Sequence, residues 1–437
     1  MLSPEKILLL SVLCIGIGAI SIYITLTTPK VIIFIMFSLR PLMFWENSIN
    51  IAGINMFELF AAYMNLLLVL GMLVIMLTRK AVFFDDSVKR ISLAFIIWCL
   101  SIVAIIPSSS LVGVSRYILP IFDFIVICNL IKSKKDMETL LICTYCCYII
   151  PIVCSSLLIL SGMSIGKTIY WTGLARYQGI YANIHNMAHS MTLYFFIALT
   201  YFHIRDFKST RGKNFFIILT AIITLLALYC LLKSYVRTAF VALFLMMIVY
   251  LKYYSKILLS LFIMLTIVIG SINYDKIMVV FFDVADAVGH EESIEKAGSG
   301  RPQIWKYNID ILNQGGIVAW IAGVGFRGGS SGSQYFSSIN SHNDYLDLVM
   351  QSGLVGLLLY IILTVLLYKR SFKLPNRYRG IFQGILVYAV TANMLSNSLI
   401  DRFGLAQLFF MLMGIMVNLT QLDMISPKNN PLNPKQA

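Results

Sequence analysis

Apolar runs separated by short polar loops dominate the 437-residue chain. A helix needs about 20 apolar residues to cross a bilayer. Runs near 7–27, 30–45, 56–78, 91–107, 117–131, 138–161, 186–204, 214–232, 236–251, 257–273, 344–368, 380–396 and 404–421 reach or approach that length. The second is short and is interrupted by Arg40 and Pro41. In lipid a chain must satisfy its backbone hydrogen bonds internally, so such runs are helices. The pattern predicts an all-α, polytopic integral membrane protein with about 12–14 transmembrane helices and one long polar loop over 274–341. It divides the chain into an N-terminal transmembrane bundle (1–273), that loop with short helices (274–341), and C-terminal transmembrane helices with a short tail (342–437). No internal repeat stands out, which speaks against the inverted-repeat transporters.

The loops set the orientation. Arg79, Lys80, Lys89 and Arg90 form one basic loop, and Lys132, Lys134 and Lys135 a second. A third holds Arg205, Lys208, Arg211 and Lys213, a fourth Lys252 and Lys256, and a fifth Lys369, Arg370, Lys373, Arg377 and Arg379. Lys428 and Lys435 follow in the tail. The positive-inside rule assigns these to the cytoplasm and the loops between them to the outside. Crossing parity leaves the N-terminus open: it lies inside if 30–45 does not cross and outside if it does.

Composition narrows the class. Charged residues make up 12% of the chain and hydrophobic ones 59%, against about 25% charged in soluble proteins. A soluble enzyme, a disordered chain and a secreted disulfide scaffold are excluded. The net charge of +14 follows from the basic loops and implies no nucleic-acid partner. All eight cysteines fall in apolar runs, where they read as small filler. The run over 7–26 has no small-residue cleavage site after it and reads as an uncleaved span.

Ionisable groups at the edge of membrane spans are functional candidates by default. Arg237 stands where a span begins on the outer side; the bland alternative is a snorkelling arginine. Arg301 follows Gly298-Ser299-Gly300 and precedes Pro302, a pattern that opens a helix and offers free N–H groups to an anion. It reads equally as a surface loop arginine. His342 sits in Ser341-His342-Asn343-Asp344. Ser341 and Asp344 match a capping box, which puts His342 in the first turn of a long helix, where the dipole disfavours its protonated form. A neutral imidazole there can take a proton from a hydroxyl. Arg176 precedes His185, Asn186 and His189 at a span entry. The two histidines share a helix face, but without an acidic partner they read as hydrogen-bonding groups and not as a metal pair. Arg116 and Asp123, seven residues apart, read as a structural ion pair.

These blocks carry a resemblance. Ser299-Gly300-Arg301-Pro302-Gln303-Ile304-Trp305, then Gly323-Val324-Gly325-Phe326, then Ser341-His342-Asn343-Asp344-Tyr345-Leu346 with Gly353 and Gly356 resemble the O-antigen ligase/polymerase superfamily. Arg176, Gly179, Asn186 and Arg237 precede them in order. The resemblance implies a glycosyltransferase of the bacterial inner membrane, with its active site on the periplasmic face. It acts on undecaprenyl-diphosphate-linked oligosaccharides as donor and acceptor. The family's two arginines and one histidine map onto Arg237, Arg301 and His342, with Arg176 and Asn343 as further substrate contacts. Arginine forks suit a diphosphate leaving group. Membrane lipids and a chain-length regulator are the further partners. No cofactor is expected, and no Asp/Asn cluster resembles a magnesium site. The Gly-Arg-Pro-x-x-Trp block favours an O-antigen polymerase; an O-antigen ligase, which transfers the glycan to lipid A core, is the alternative, and a polysaccharide flippase is a second.

Overall fold

The structure is a computed structural model. It describes residues 23, 27–44, 50–51, 54–55, 86–107, 109–163, 169–171, 174–181, 183–207, 209–272, 274, 301–326, 341–396, 399–400 and 402–425. The predicted runs at 7–27 (but for its last residue and 23) and 56–78, the basic pair Arg79–Lys80 and the tail lysines lie outside these residues, and so does the question of where the N-terminus sits.

Thirteen α-helices occupy the described residues. In chain order they are α1 (Pro29–Leu39), α2 (Ser87–Ile105), α3 (Leu111–Leu130), α4 (Lys134–Leu160), α5 (Ile184–Ile204), α6 (Thr210–Ser234) and α7 (Arg237–Tyr254). After these come α8 (Lys256–Ile272), α9 (Arg301–Gln314), α10 (Gly316–Ala322), α11 (Asp344–Ser371), α12 (Asn376–Leu395) and α13 (Phe403–Ile425). A 3₁₀ turn at Arg40–Phe44 ends α1 where Arg40 and Pro41 interrupt the apolar run. Two short antiparallel ladders are also present, and the one that matters below pairs β1 (Ile169–Trp171) with β2 (Leu174–Arg176).

Among the described residues, seven helices, namely α2, α3, α4, α6, α7, α11 and α13, are long and apolar enough to cross a membrane. The all-α, multi-pass architecture is therefore as predicted. Burial sorts these helices into layers. In α13, 94% of the most apolar stretch is buried by protein, against 28% in α6, so α13 is the central helix and α6 faces lipid. α12 lies along α7, α13 along α3, and α11 against α2. Gly380 and Gly384 bring α12 close to α7: a Cβ at Gly380 would stand 2.9 Å from the Tyr253 side chain and one at Gly384 3.2 Å from the Met246 carbonyl. Small residues four apart are how helices meet where lipid supplies no hydrophobic drive.

The helix ends gather on two faces. One face carries the basic loops, cross-linked by Lys30–Asp136 at 2.8 Å, Arg370–Asp86 at 2.9 Å, and the pairs Lys134–Asp206 and Arg205–Glu138. The opposite face carries the starts of α3, α5, α7, α11 and α13. The expected ion pair between Arg116 and Asp123 does not form. Seven residues are two helical turns, roughly 10 Å along the axis, and Pro120 lies between them. Asp123 is buried toward α13 instead, where it accepts from Gln407 Nε2 at 2.6 Å.

Of the loop 274–341, the described parts are its two end residues, α9, α10 and the turn to Phe326. A kink in α11 seats them. Gly353 has φ of 68° inside the helix, which breaks the hydrogen-bond ladder and leaves carbonyls needing donors. Val324 N donates to Met350 O at 2.7 Å, and Trp98 Nε1 donates to Ser352 O at 2.8 Å. The end of α10 packs into the kink so closely that a Cβ on Gly353 would stand 2.0 Å from Ile321 O. Phe326 closes the arrangement: its N–H donates to Ser109 Oγ at 3.1 Å, and its carbonyl accepts from Ser110 N at 2.6 Å. Gly353→Ala combines a left-handed backbone with a backbone clash, which together cost about 3 kcal/mol or more. A large fall in folded protein recovered from membranes and in thermal midpoint is expected.

Candidate active site

Four consecutive residues organise the end of the bundle opposite the basic loops. Ser341 is buried, and its carbonyl accepts from Trp305 Nε1 at 2.7 Å. Its hydroxyl accepts from Asn343 N at 3.1 Å and donates to Asn343 O at 2.7 Å. Asn343 is the N-cap of α11, with Oδ1 accepting from Tyr345 N and Leu346 N, both at 3.0 Å. Asp344 Oδ2 accepts from Leu399 N at 3.1 Å and Ile400 N at 3.2 Å, which fixes the segment ahead of α13. The expected capping box of Ser341 and Asp344 is thus replaced by an asparagine cap, because the Asp344 carboxylate serves another segment. His342 accordingly precedes the helix instead of lying in its first turn.

His342 has φ of 53°, and Tyr235 has φ of 50°. Among the described residues these are the only non-glycine positions in the left-handed region. Each costs roughly 1–2 kcal/mol, and such strain collects at functional sites. One residue is the candidate base; the other is two residues before Arg237.

Arg237 is the first residue of α7. Its position depends on Arg176, the last residue of β2. The Arg176 guanidinium donates from Nε to Ser234 O at 3.1 Å and from Nη2 to Tyr235 O at 3.2 Å. Tyr177 N adds a bond to Lys233 O at 3.1 Å. Two N–H groups of one cation and one backbone N–H thereby satisfy the carbonyls at the C-terminus of α6, the negative end of its dipole, and set the sharp turn into α7.

Arg301 opens α9, consistent with the glycines and proline around it. Half-buried, it donates from Nη1 to Leu395 O at 2.7 Å, at the C-terminal end of α12. Trp305 is one turn further on, so the Arg-Pro-x-x-Trp spacing joins two anchors on one helix face: the arginine to α12, the tryptophan to the strand before α11. Burial, and then the charge of Arg237, pull the Arg301 pKa below its ordinary value. Burial, then Arg301, then Arg402 pull that of His342 down. Arg237, Arg301 and His342 therefore lie within one another's electrostatic range as a chain, although they come from α7, α9 and the strand before α11.

One member was missed from sequence, and one was noted without its place beside His342. Arg402 lies just before α13 and donates from Nη1 to Asn186 Oδ1. His185 is in the first turn of α5, within electrostatic range of Arg402, His189, Arg176 and His342, and its Nδ1 is buried without a hydrogen-bond partner. His189 is more remote and structural: it is fully buried, with Nδ1 on the Tyr388 hydroxyl. The signal for Arg402 was a charge in a short outer loop, against the positive-inside trend. His185 was read with His189 as a hydrogen-bonding group at a span entry; its proximity to His342 was not visible.

Fold and site together define a multi-pass membrane protein in which cations and imidazoles converge at one end of the helix bundle. Residues 222–361 match the family model described as O-antigen ligase, which bears out the resemblance to the O-antigen ligase/polymerase superfamily. The matched stretch holds Arg237, Arg301 and His342 and stops short of Arg176, His185 and Arg402. No curated protein matches the chain.

Trp305→Phe keeps the ring and deletes one donor to a buried carbonyl. It is expected to lower stability by about 1 kcal/mol, read from thermal unfolding in detergent, and to reduce activity more than an exposed α9 substitution such as Lys306→Ala.

Proposed function

We propose that the protein is an O-antigen polymerase: a glycosyltransferase that moves a growing glycan from undecaprenyl diphosphate onto a sugar hydroxyl of the next lipid-linked repeat unit, at the periplasmic face of the inner membrane. What supports this reading is a run of cations leading to the strained His342: Arg301 is within electrostatic range of Arg237 and of His342, and Arg402 is within range of His342. Groups needed by a flippase would instead run through the middle of the bilayer.

The chemistry follows from the groups. The acceptor oxygen attacks the anomeric carbon from the face opposite the diphosphate. The glycosidic C–O bond breaks with its electron pair going to the departing undecaprenyl diphosphate, and the configuration inverts. His342 takes the hydroxyl proton on its neutral imidazole. Arg237 and Arg301 bind phosphate oxygens and stabilise the charge that develops on them. Arg402 supplies a third cation beside His342. Arg176 is a positioning residue for Arg237. Asn343 holds the start of α11 with its oxygen and leaves Nδ2 for a substrate oxygen. No metal ion is needed for this step, so activity of the purified protein survives a chelator.

The ligase reading, transfer to lipid A core, is supported by the description of the matching family model. A deletion strain separates the two. Core capped by a single repeat unit supports the polymerase; bare core with accumulated lipid-linked polymer supports the ligase.

His342→Ala is expected to leave membrane level unchanged and to abolish glycan transfer, scored as loss of long chains on a polysaccharide gel. Wild-type chain lengths would overturn the base assignment. Because its environment disfavours the protonated form, His342 stays neutral to below the ordinary histidine value of about 6.5. The base is present above its pKa and lost as pH falls through it, so kcat/KM should stay level down to about pH 6.5 and fall below it. Arg301→Lys keeps the charge but loses the fork and is expected to slow transfer about 10- to 100-fold, the equivalent of one charge-assisted hydrogen bond.

A further inference from the structure

His185 takes no part in the chemistry set out above, yet two ties fasten it close to His342. Asp344, the first residue of α11, accepts from Leu399 N at 3.1 Å and Ile400 N at 3.2 Å. Arg402, two residues beyond Ile400, donates from Nη1 to Asn186 Oδ1. His342 stands two residues before Asp344, and His185 one residue before Asn186. The start of α5 is therefore joined to the start of α11 through the segment ahead of α13. The backbone of His185 is also fixed locally, because Asn183, the N-cap of α5, accepts from His185 N at 2.7 Å. The side chain is placed by these backbone ties and not by a bond of its own. Its Nδ1 is enclosed and makes no hydrogen bond among the described residues, while the residue as a whole is only half-buried. A buried polar nitrogen left in this state is costly and calls for a reason.

Its surroundings narrow what the ring can bind. The strongest charges acting on His185 are Arg402 and then Arg176, whereas the strongest on Arg301 is Arg237. His342 is common to both groups, since Arg301 and Arg402 both act on it. His185 thus belongs on the Arg402 side of His342, and the arginines assigned to the donor diphosphate belong on the other. Burial and the nearby cations keep the His185 imidazole neutral. A neutral imidazole brings no charge to a phosphate, but it offers one donor and one acceptor nitrogen, the pair that a hydroxyl matches. A sugar that gives one hydroxyl proton to His342 carries a second hydroxyl on the next ring carbon.

We propose that His185 holds the hydroxyl next to the reacting one on the acceptor sugar, and so selects acceptors by where that hydroxyl stands. The proposal rests on the reading of His342 as the base toward an acceptor hydroxyl. His185 is then a specificity-determining residue: a site built to hydrogen-bond a substrate hydroxyl rejects the analogue that lacks it, because its own buried polar group is left unpaired.

The test uses full-length protein in mild detergent with two lipid-linked repeat units. The donor has a methyl ether at the position that would be extended, so it cannot serve as acceptor. The acceptor is linked to a short, soluble prenyl diphosphate and is also made as its monodeoxy analogues. The joined product is read by mass spectrometry. His185→Ala is expected to raise the acceptor KM about tenfold, the loss of one neutral hydrogen bond, and to leave the donor KM unchanged. One monodeoxy acceptor should cost the wild type a similar factor and cost His185→Ala nothing further. His185→Phe, which keeps a ring and removes both nitrogens, carries the same comparison if alanine unsettles the start of α5. An unchanged acceptor KM overturns the proposal. So does an equal rise in donor KM, or equal sensitivity of wild type and variant to every deoxy position. Loss of the acid limb of kcat/KM in His185→Ala would also overturn it, by making His185 the base. Failure of the polymerase reading looks different: the wild type would transfer only to lipid A core, and the deoxy comparison on that acceptor would still decide the role of His185.

Discussion

Guanidinium groups set against the carbonyl ends of helices hold the candidate site together. Arg176 binds the last carbonyls of α6, and Arg301 binds that of α12. A helix C-terminus carries about half a negative charge spread over its orphan carbonyls. It therefore steadies an arginine without neutralising it, as a carboxylate would. Positive potential survives in a half-buried place, which is the condition for drawing an anion out of water. Burial first, and then the cations Arg301 and Arg402, lower the proton affinity of His342 and favour its neutral form.

Rigidity is distributed with similar economy. Trp305 ties α9 to the carbonyl before His342, Val324 ties the end of α10 to the kink in α11, and Asp344 ties α11 to the segment leading to Arg402. Each tie is a hydrogen bond between segments distant in the chain. The two strained backbone positions, Tyr235 and His342, are stabilised by what surrounds them: an arginine-capped helix end in one case and a doubly bonded serine in the other. Strain of this kind persists only where several contacts over-determine the geometry.

Much of this was legible in the chain. The ends of α4, α6, α7, α8, α11 and α13 fall within a few residues of the apolar runs, because lipid enforces length and polarity more strictly than a soluble core does. The start of α9 at Arg301 was readable from Gly300 and Pro302, since those residues act on their own backbone. What escaped depended on contacts between distant segments. Arg402 joins Asn186 across 216 positions. Asp344 bonds Leu399 and Ile400, so its apparent part in a capping box was a coincidence of spacing. Asp123 found Gln407 on another helix in preference to Arg116 on its own. Local pattern reports what a residue does to its own helix, and these three serve a neighbour.

The stretch Ser341–Asp344 has one more consequence. Its four residues reach, in order, α9, the site itself, their own helix start, and the chain before α13. An inserted residue would turn everything beyond it by about 100° about the helix axis and would disconnect all four at once. Length at this point is therefore as tightly specified as identity. This segment has the fixed gearing of a mechanism and admits neither a missing tooth nor an extra one.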